Sequence, residues 1–432
     1  MSSSATASEV GATAGRSREA AAARPSLIVL LGTIVLFLVL IGRVVETYLQ
    51  RGLFDFIGED YAIYAATARV VRSLGWSRFY DLGAIAHETL AFTVHYGAFA
   101  GPLRPGPSPY PVVFLLPFLA LDRLGDVGGF VGWTVLNLGL LMVMARGSGA
   151  RPRALMGFLA PVVYFPAAYN LIVGQLAIVM AFGLHRFLKE ARAGRELAAG
   201  MWLALLLIKP QFALVPLVVL IGLRRWRILA GFTTVGFAMA GSTLALVGAA
   251  GVGECLAILR SFSGFRLAPA VVDPWDMINI RGLLLGLPED WVSEGTGASL
   301  TIAISLVLIA SLRGLWRSGW DAADPRFDRK MLATMLVAML TAYHNHVHGA
   351  ALLVPVMLAV LEHDPDRRRF APLAALATLA PTGLVAATGV VKYAAWCLIA
   401  VMTAAYWAIR REETSAAKVA AEADDPIIRT CA

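Results

Sequence analysis

Residues 26–45 read SLIVLLGTIVLFLVLIGRVV, the first of the long apolar runs that decide the fold of this chain. A run of about 20 residues forms a helix of about 30 Å, which is the thickness of a bilayer's hydrocarbon core. Of the 432 residues, 58% are hydrophobic and only 15% are charged, and the mean hydropathy is +0.69. Soluble domains contain about 45–50% apolar and about 25% charged residues. We therefore expect an all-α, polytopic membrane protein.

The charge balance is basic, with 37 Lys and Arg residues against 29 Asp and Glu residues and a net charge of +8. In a membrane protein, an excess of this kind usually comes from cytoplasmic loops, which keep Lys and Arg on the inside. We therefore expect no nucleic-acid partner. The three cysteines, Cys255, Cys397 and Cys431, follow no disulfide or zinc-ligand spacing. No metal and no cofactor is expected.

Composition also divides the chain. Residues 1–26 are rich in Ala, Ser and Thr and are expected to form a disordered cytoplasmic tail. Residues 27–409 would form a single membrane domain of about ten to twelve spans. Residues 46–110 are too polar to span and would form the first outside loop. Residues 410–432 would form a second cytoplasmic tail.

Short basic turns separate the later apolar segments, and placing all of them inside gives one consistent topology. The span count stays open because residues 112–145 hold either one helix or two helices broken near residues 122–128. The basic turns lie at residues 146–153, 189–195, 224–227, 313–330, 367–369 and 410–411.

The outside loop carries a helical pattern in which apolar residues recur every three to four positions. Arg69 and Arg72 lie off this stripe. The pattern predicts an amphipathic helix along the membrane surface, followed by a second short helix over residues 82–93. The stripe consists of Tyr61, Tyr64, Ala68, Val71 and Leu74.

Two later hairpins are too short to cross the membrane twice at full length. Residues 197–208 and 331–342 would each form about 18 Å of helix, against a hydrocarbon core of about 30 Å. Their polar tips, Lys209 with Pro210 and Tyr343 to His348, would therefore lie below the outer surface. Charged groups at that depth are costly unless they line a wet cavity or meet an anion, so these tips are candidate functional sites.

Asp55, Glu59 and Asp60 form a carboxylate group where the outside loop meets its first predicted helix. Such residues are most often helix N-caps or partners of the helix dipole. Beside Tyr61 and Tyr64 at the membrane surface, one of them would also suit a general base acting on a sugar hydroxyl. The residues alone leave both alternatives open.

The second hairpin tip contains His344, His346 and His348, three of the seven histidines in the chain. Packing, metal binding and anion binding are all open to such a cluster. No acidic residue lies near it in sequence, so we favour binding of an anion such as a lipid phosphate. Lys209 is a second cation at a helix break, with a snorkelling structural lysine as the alternative. Other polar residues expected to converge on this face are Gly174, Gln175, Asp276, Asn279 and Arg281.

Five motifs follow one another along the chain. They are Glu59 to Tyr64 with Tyr80-Asp81, Tyr110-Pro111, Gly174-Gln175, Ile208-Lys209-Pro210 with Arg224 to Arg227, and Asn279 with Arg281-Gly282. In this order they resemble the motifs of glycosyltransferase family 87, whose members use polyprenol-phosphate sugars and have the GT-C membrane fold. The resemblance covers about residues 27 to 410. The last hairpin, residues 343–348 before Pro355, is richer in His than is usual in the family.

The resemblance implies a GT-C-type helical bundle that transfers a sugar, commonly mannose and sometimes arabinofuranose, from a polyprenyl-phosphate donor to a glycolipid or glycan acceptor. The transfer would be a single displacement that inverts the configuration at the anomeric carbon. It would take place at the periplasmic or extracellular face of the plasma membrane. Asp60 matches the catalytic aspartate of the family and would be the general base. The donor phosphate would be held by Lys209, His344, His346, His348 and Arg281. Further substrate-binding residues would be Glu59, Tyr64, Gln175 and Asn279.

The competing interpretation is a transporter or lipid flippase that binds an anionic substrate near the middle of a moving bundle. Inverted repeats would favour it, and the sequence contains no convincing repeat. The long outside loop with its carboxylates favours the enzyme. A purely structural assembly subunit has no positive sign in the sequence.

Overall fold

The computed structural model describes residues 35, 38–39, 41–47, 49–50, 54, 57–95, 109–146, 162, 164–265, 276–288, 290–388 and 390–423. These residues form helices and short connections, with an isolated antiparallel bridge between Met277 and His346. The predicted all-α architecture is therefore confirmed. The predicted tail at 1–26, most of the first span and Asp55 lie outside the described residues.

The helices of the first half are α1 (Glu59–Leu74), α2 (Leu82–His95), α3 (Leu116–Leu121), α4 (Asp126–Arg146), α5 (Phe165–Val173), α6 (Ala177–Arg192), α7 (Glu196–Leu203) and α8 (Leu214–Gly222). Those of the second half are α9 (Trp226–Ser261), α10 (Ile280–Leu285), α11 (Glu294–Leu315), α12 (Phe327–Thr341), α13 (Val354–His363), α14 (Arg367–Thr388) and α15 (Val391–Ala423). Short 3₁₀ segments include Val112–Leu115, Ala204–Ile208, Pro210–Phe212 and Val347–Leu353.

Within the described ranges, four helices are long and apolar enough to cross a membrane. These are α4, α9, α11 and the part of α15 over Val391–Ser415. The chain is thus a multi-pass membrane protein. Other stretches that we expected to cross are shorter apolar helices, including Glu196–Ile208, Pro210–Gly222 and Val347–His363. The open question at residues 112–145 is answered by a break at Gly125, where φ is 73° and the chain turns into α4.

Both short hairpins have buried tips, as their lengths predict. The first ends at Lys209, because Pro210 lacks the N–H that would continue the helix. Lys209 is 9% exposed. The second descends along α12, whose side chains from Phe327 to Leu340 are all buried. At the two tips, Lys209, Asn345 and His348 are buried, Tyr343, His344 and His346 are half-buried, and Pro210 is exposed.

Several of the basic turns meet at one end of the bundle. Arg192 pairs with Asp328 at the start of α12, and Arg225 pairs with Glu196. Arg329 of α12 also binds carboxylates of the α13–α14 connection and of α15, as described below. The polar hairpin tips meet at the opposite end of α12. This internal arrangement agrees with the predicted alternation of basic turns and polar tips.

Helix α1 differs in part from the predicted surface helix. Tyr61, Tyr64, Ala68 and Val71 are buried as predicted, but Leu74 is 55% exposed. The opposite face is buried too, because the helix packs against α2, α3 and the neighbouring short segments. Arg69 and Arg72 reach Asp122 at 3.0 and 2.8 Å, and Arg69 also pairs with Asp126. The helix is therefore held inside the molecule, with its N-terminus fixed at the site described next. The second loop helix is present as α2 over Leu82–His95.

Candidate functional site

The site begins at the N-terminus of α1, where the chain turns sharply into the helix. Gly58 has a φ of 79°, a conformation that glycine adopts without strain, and its N–H donates to the carbonyl of Ile172 at 2.7 Å. Glu59 and Asp60 form the first turn, where carboxylates are favoured by the helix dipole. This bond to residue 172 brings Asp60 beside the connection between α5 and α6.

That connection is a rigid turn that presents Gln175. Gly174 ends α5 with a φ of 81°, and its carbonyl accepts a hydrogen bond from Trp133 Nε1 at 2.9 Å. The side chain of Asn170 donates to the carbonyl of Gln175 at 3.0 Å and accepts from the N–H of Ala177 at 2.9 Å. The turn thus has its backbone held from two sides.

The side-chain amide of Gln175 lies at the centre of the site and is 5% exposed. Its Oε1 atom accepts from Lys209 Nζ at 3.0 Å, from the hydroxyl of Tyr64 at 3.0 Å and from the N–H of Leu176 at 3.2 Å. The side chain of Gln175 is also a hydrogen-bond partner that lowers the pKa of Asp60. One amide therefore connects the carboxylate and the ammonium.

Lys209 brings a positive charge to this amide and to the histidine hairpin. Its Nζ atom lies 3.2 Å from His348 Nε2 and 5.7 Å from the centre of the Tyr110 ring. An ammonium has donors only, so Nε2 of His348 must accept and the ring is neutral. The first short hairpin is also fixed directly to the second, because Gln211 donates to the carbonyl of His344 at 3.0 Å.

The three histidines form a chain that ends on an acidic residue. His346 Nδ1 pairs with Asp276, and His346 Nε2 lies 3.1 Å from His344 Nε2. The rings of His346 and His348 stack with centroids 5.8 Å apart. Asp276 is the acidic partner of His346, whereas His344 and His348 have cationic neighbours and no acidic partner among the described residues.

Besides Asp276, Asp60 is an acidic group that interacts with this cationic set. Burial raises the pKa of Asp60 above that of an ordinary aspartate, while the Lys209 ammonium and the hydrogen bond from Gln175 oppose this rise. The charges of His346 and Asp276 also act on it. When it is ionised, this carboxylate is therefore a stronger base than a solvated one.

Two predicted site residues, Asn279 and Arg281, bond to the backbone. Asn279 caps α10 by accepting from the N–H of Gly282 at 2.7 Å, and it donates to the carbonyl of Ala342 at 2.7 Å. The guanidinium of Arg281 donates to three carbonyl groups and lies 4.2 Å from the ring of Tyr343. Both side chains are fully buried. The carbonyl groups bound by Arg281 belong to Gly264, Phe265 and Tyr343. The substrate-binding role of Asn279 and the phosphate-binding role of Arg281 stay predictions.

The structure brings together most of the other predicted residues. Tyr64 contacts the site through its bond to Gln175, and Glu59 lies half-buried beside Asp60. Asp276 was expected on this face without an assigned role, and Tyr110 was absent from the predicted site residues. Tyr110 belongs to one of the quoted motifs, which was a usable signal. Asp276 lies 70 residues from His346, so only the fold reveals their pairing.

Among the residues that the structure describes, no group of three or more His, Cys, Asp or Glu side chains is placed to hold a metal ion. The donor set at the site is instead one ammonium, one carboxylate with an amide, and a histidine chain with its own carboxylate. This arrangement suits proton removal next to an anion-binding group.

A comparison with protein families gives one match. The model of glycosyltransferase family 87 matches residues 109–343, which is more than half of the chain. The matched region includes Gln175 and Lys209, whereas Asp60 precedes it and His344 follows it directly. Comparisons with curated proteins and with solved structures found no match.

Proposed function

Because the chain belongs to glycosyltransferase family 87 and is a multi-pass membrane glycosyltransferase, we propose that it moves a sugar from a polyprenyl-phosphate donor to a glycolipid or glycan acceptor. The observation that carries this proposal is the bridge from Asp60 through Gln175 to Lys209. The bridge places a base and an anion-binding cation on opposite sides of one amide. A transfer from a lipid phosphate needs those two groups.

The proposed reaction is a single displacement. The acceptor hydroxyl attacks the anomeric carbon of the sugar while Asp60 takes the hydroxyl proton. The bond between the anomeric carbon and the phosphate oxygen breaks in the same step, so the configuration at that carbon is inverted. The alignment of Asp60 with the acceptor hydroxyl accounts for much of the rate enhancement. A positioned base accelerates such a reaction by about 10²- to 10⁴-fold.

The departing polyprenyl phosphate carries the bonding electrons and needs a cation. Lys209 suits this role because two of its three N–H groups point to Gln175 and His348, which leaves one N–H for a phosphate oxygen. His346, paired with Asp276, supplies a second positive charge when protonated. Arg281 adds its charge from behind the hairpin, because its own donors are engaged by carbonyl groups.

We further propose mannose as the sugar and the plasma membrane as the location, with the site on the periplasmic or extracellular side. The basic turns at the far end of α12 support this orientation through the positive-inside rule. The two tails, residues 1–26 and 410–432, flank the membrane domain at 27–409 in sequence. Both would then lie in the cytoplasm. Membership of the family favours a transferase over a transporter or flippase.

The test uses protein purified in detergent with radiolabelled polyprenyl-phosphate-mannose and a lipid acceptor extract. Wild type is compared with Asp60→Asn and with the matched control Asp321→Asn, an exposed aspartate in the basic turn. We expect labelled product from wild type and control, and a loss of about 10²-fold or more in Asp60→Asn.

Product formation by Asp60→Asn at the wild-type rate would move the role of base to Glu59. No product from either a mannose or an arabinofuranose donor would overturn the proposed function. Uptake of the labelled donor by reconstituted vesicles without transfer would then support the transporter.

A further inference from the structure

The orientation of the Gln175 amide is determined by its neighbours. Two of them, the Lys209 ammonium and the N–H of Leu176, can only donate hydrogen bonds. The oxygen must therefore face them, and the amide nitrogen must face Asp60. A flipped amide would place N–H donors against the ammonium and an oxygen against the carboxylate, which loses two charge-assisted hydrogen bonds.

The amide also has little freedom to move. The backbone of its turn is held by Asn170 and Trp133, and the side chain itself is bonded at both ends. Gly174 packs so tightly that an added Cβ would lie 2.6 Å from the Cβ of Tyr61 in α1. The position of the Gln175 amide is thus tied to the helix that carries Asp60.

We infer that Gln175 is a positioning residue for Asp60, and not the substrate contact that the sequence suggested. This inference rests on the proposed function, in which Asp60 is the base. The amide nitrogen holds the carboxylate in one orientation and stabilises its ionised form. The amide oxygen accepts a hydrogen bond from Lys209. The base and the phosphate-binding cation are therefore kept at a constant separation.

The ionisation of Asp60 depends on several groups besides Gln175. Lys209 and His346 favour the charged carboxylate, and Asp276 opposes it. Tyr64 faces Asp60 from the same helix. Burial favours the protonated form, and the hydrogen bond from Gln175 is one of the contacts that oppose it.

The experiment measures the pH dependence of transfer in Gln175→Leu and Gln175→Glu. Leucine removes both ends of the amide. Glutamate is isosteric and keeps acceptors for Lys209 and Tyr64, so it protects folding while it replaces the donor to Asp60 by a negative charge. The matched control is Asn137→Leu, which removes a buried amide of α4 that donates to the backbone of its own helix.

We expect the acidic limb of the kcat/KM profile to move upward by about one pH unit in Gln175→Leu and further in Gln175→Glu. At neutral pH, kcat falls about tenfold or more while KM for the lipid-phosphate donor stays within about threefold. The pKa of Asp60 is read independently from the infrared band of its protonated carboxyl group, assigned by its loss in Asp60→Asn. The control keeps the wild-type limb.

A raised KM for donor or acceptor with an unmoved acidic limb would overturn the inference and make Gln175 a substrate contact. An unchanged infrared pKa of Asp60 in both variants would also overturn it. If the wild type transferred no sugar, the proposed function would fail, while the infrared pKa would still decide whether Gln175 controls Asp60.

Discussion

Asp60 is the residue whose protonation sets the pH range of the proposed reaction. Burial raises its pKa above the ordinary aspartate value. A base is active only when deprotonated, so transfer falls as the pH falls through this pKa. We expect the acidic limb of kcat/KM to lie above the solution value of aspartate, about 3.9. A profile that stays flat down to that value would contradict Asp60 as a buried base.

Lys209 gives a second prediction for a single residue. In Lys209→Met, the charge-assisted bonds to Gln175 and to the donor phosphate are lost, each of which contributes about 1.5–3 kcal/mol. We expect kcat/KM for the lipid-phosphate donor to fall about tenfold to hundredfold, measured with labelled donor. Lys189→Met, at an exposed lysine in the basic end, serves as the control. An equal loss in both variants would indicate a general effect of charge.

Residues differed in how far the sequence could predict them. Lys209 and the histidines were predictable because short hairpins place their polar tips inside the membrane domain, where charge is costly without a function. For Asn279 and Arg281, residue type did not reveal their bonds to backbone carbonyl and N–H groups, and their substrate and phosphate roles stay predictions. Asp276 was missed as a partner of His346, since only the fold brings the two together.

The turn between α5 and α6 is the local element on which the site depends most. Gly174 has a φ of 81°, and an added Cβ would lie 2.6 Å from the Cβ of Tyr61. Gly194, with a φ of 72° and nothing within 4 Å of an added Cβ, is a control with the same backbone strain but no close contact. Left-handed backbone costs a residue with a Cβ about 1–2 kcal/mol. We expect Gly174→Ala to lower the melting temperature more than Gly194→Ala and also to abolish transfer.

Equal melting temperatures in the two variants would show that the contact between α5 and α1 is loose.

The lengths of the hairpins predicted correctly that this end of the protein is buried. The apolar stripe of α1 predicted its inner face but not the burial of its opposite face. That face contains Ala66 and Val70, which pack with Ile85 of α2 in the folded molecule.

At the scale of the whole molecule, the polar site and an ionic cluster occupy opposite ends of α12. Arg329, 3% exposed, pairs with Asp364, Asp366 and Glu412 at 2.5, 3.1 and 3.0 Å. These pairs connect α12 to the α13–α14 connection and to α15. The sequence predicted the basic turns but not that one arginine pairs with carboxylates of two other elements.

Removal of this arginine is the corresponding prediction. Arg329→Leu leaves buried carboxylates without a counter-charge, which costs about 3–5 kcal/mol. We expect a clearly lower melting temperature in detergent, with the exposed Arg317→Leu as control. The double variant Arg329→Leu with Asp364→Leu should recover part of the loss. A melting temperature equal to that of the control would show that the cluster does not hold the helices together.

The central claim is that the site formed by Asp60, Gln175 and Lys209 transfers a sugar by a single displacement. The most direct measurement is the anomeric configuration of the product, determined by NMR after purified protein has acted on a polyprenyl-phosphate sugar of known configuration. The account predicts a glycosylated acceptor whose anomeric configuration is opposite to that of the donor. A product with the donor's own configuration, or no product at all, would contradict it.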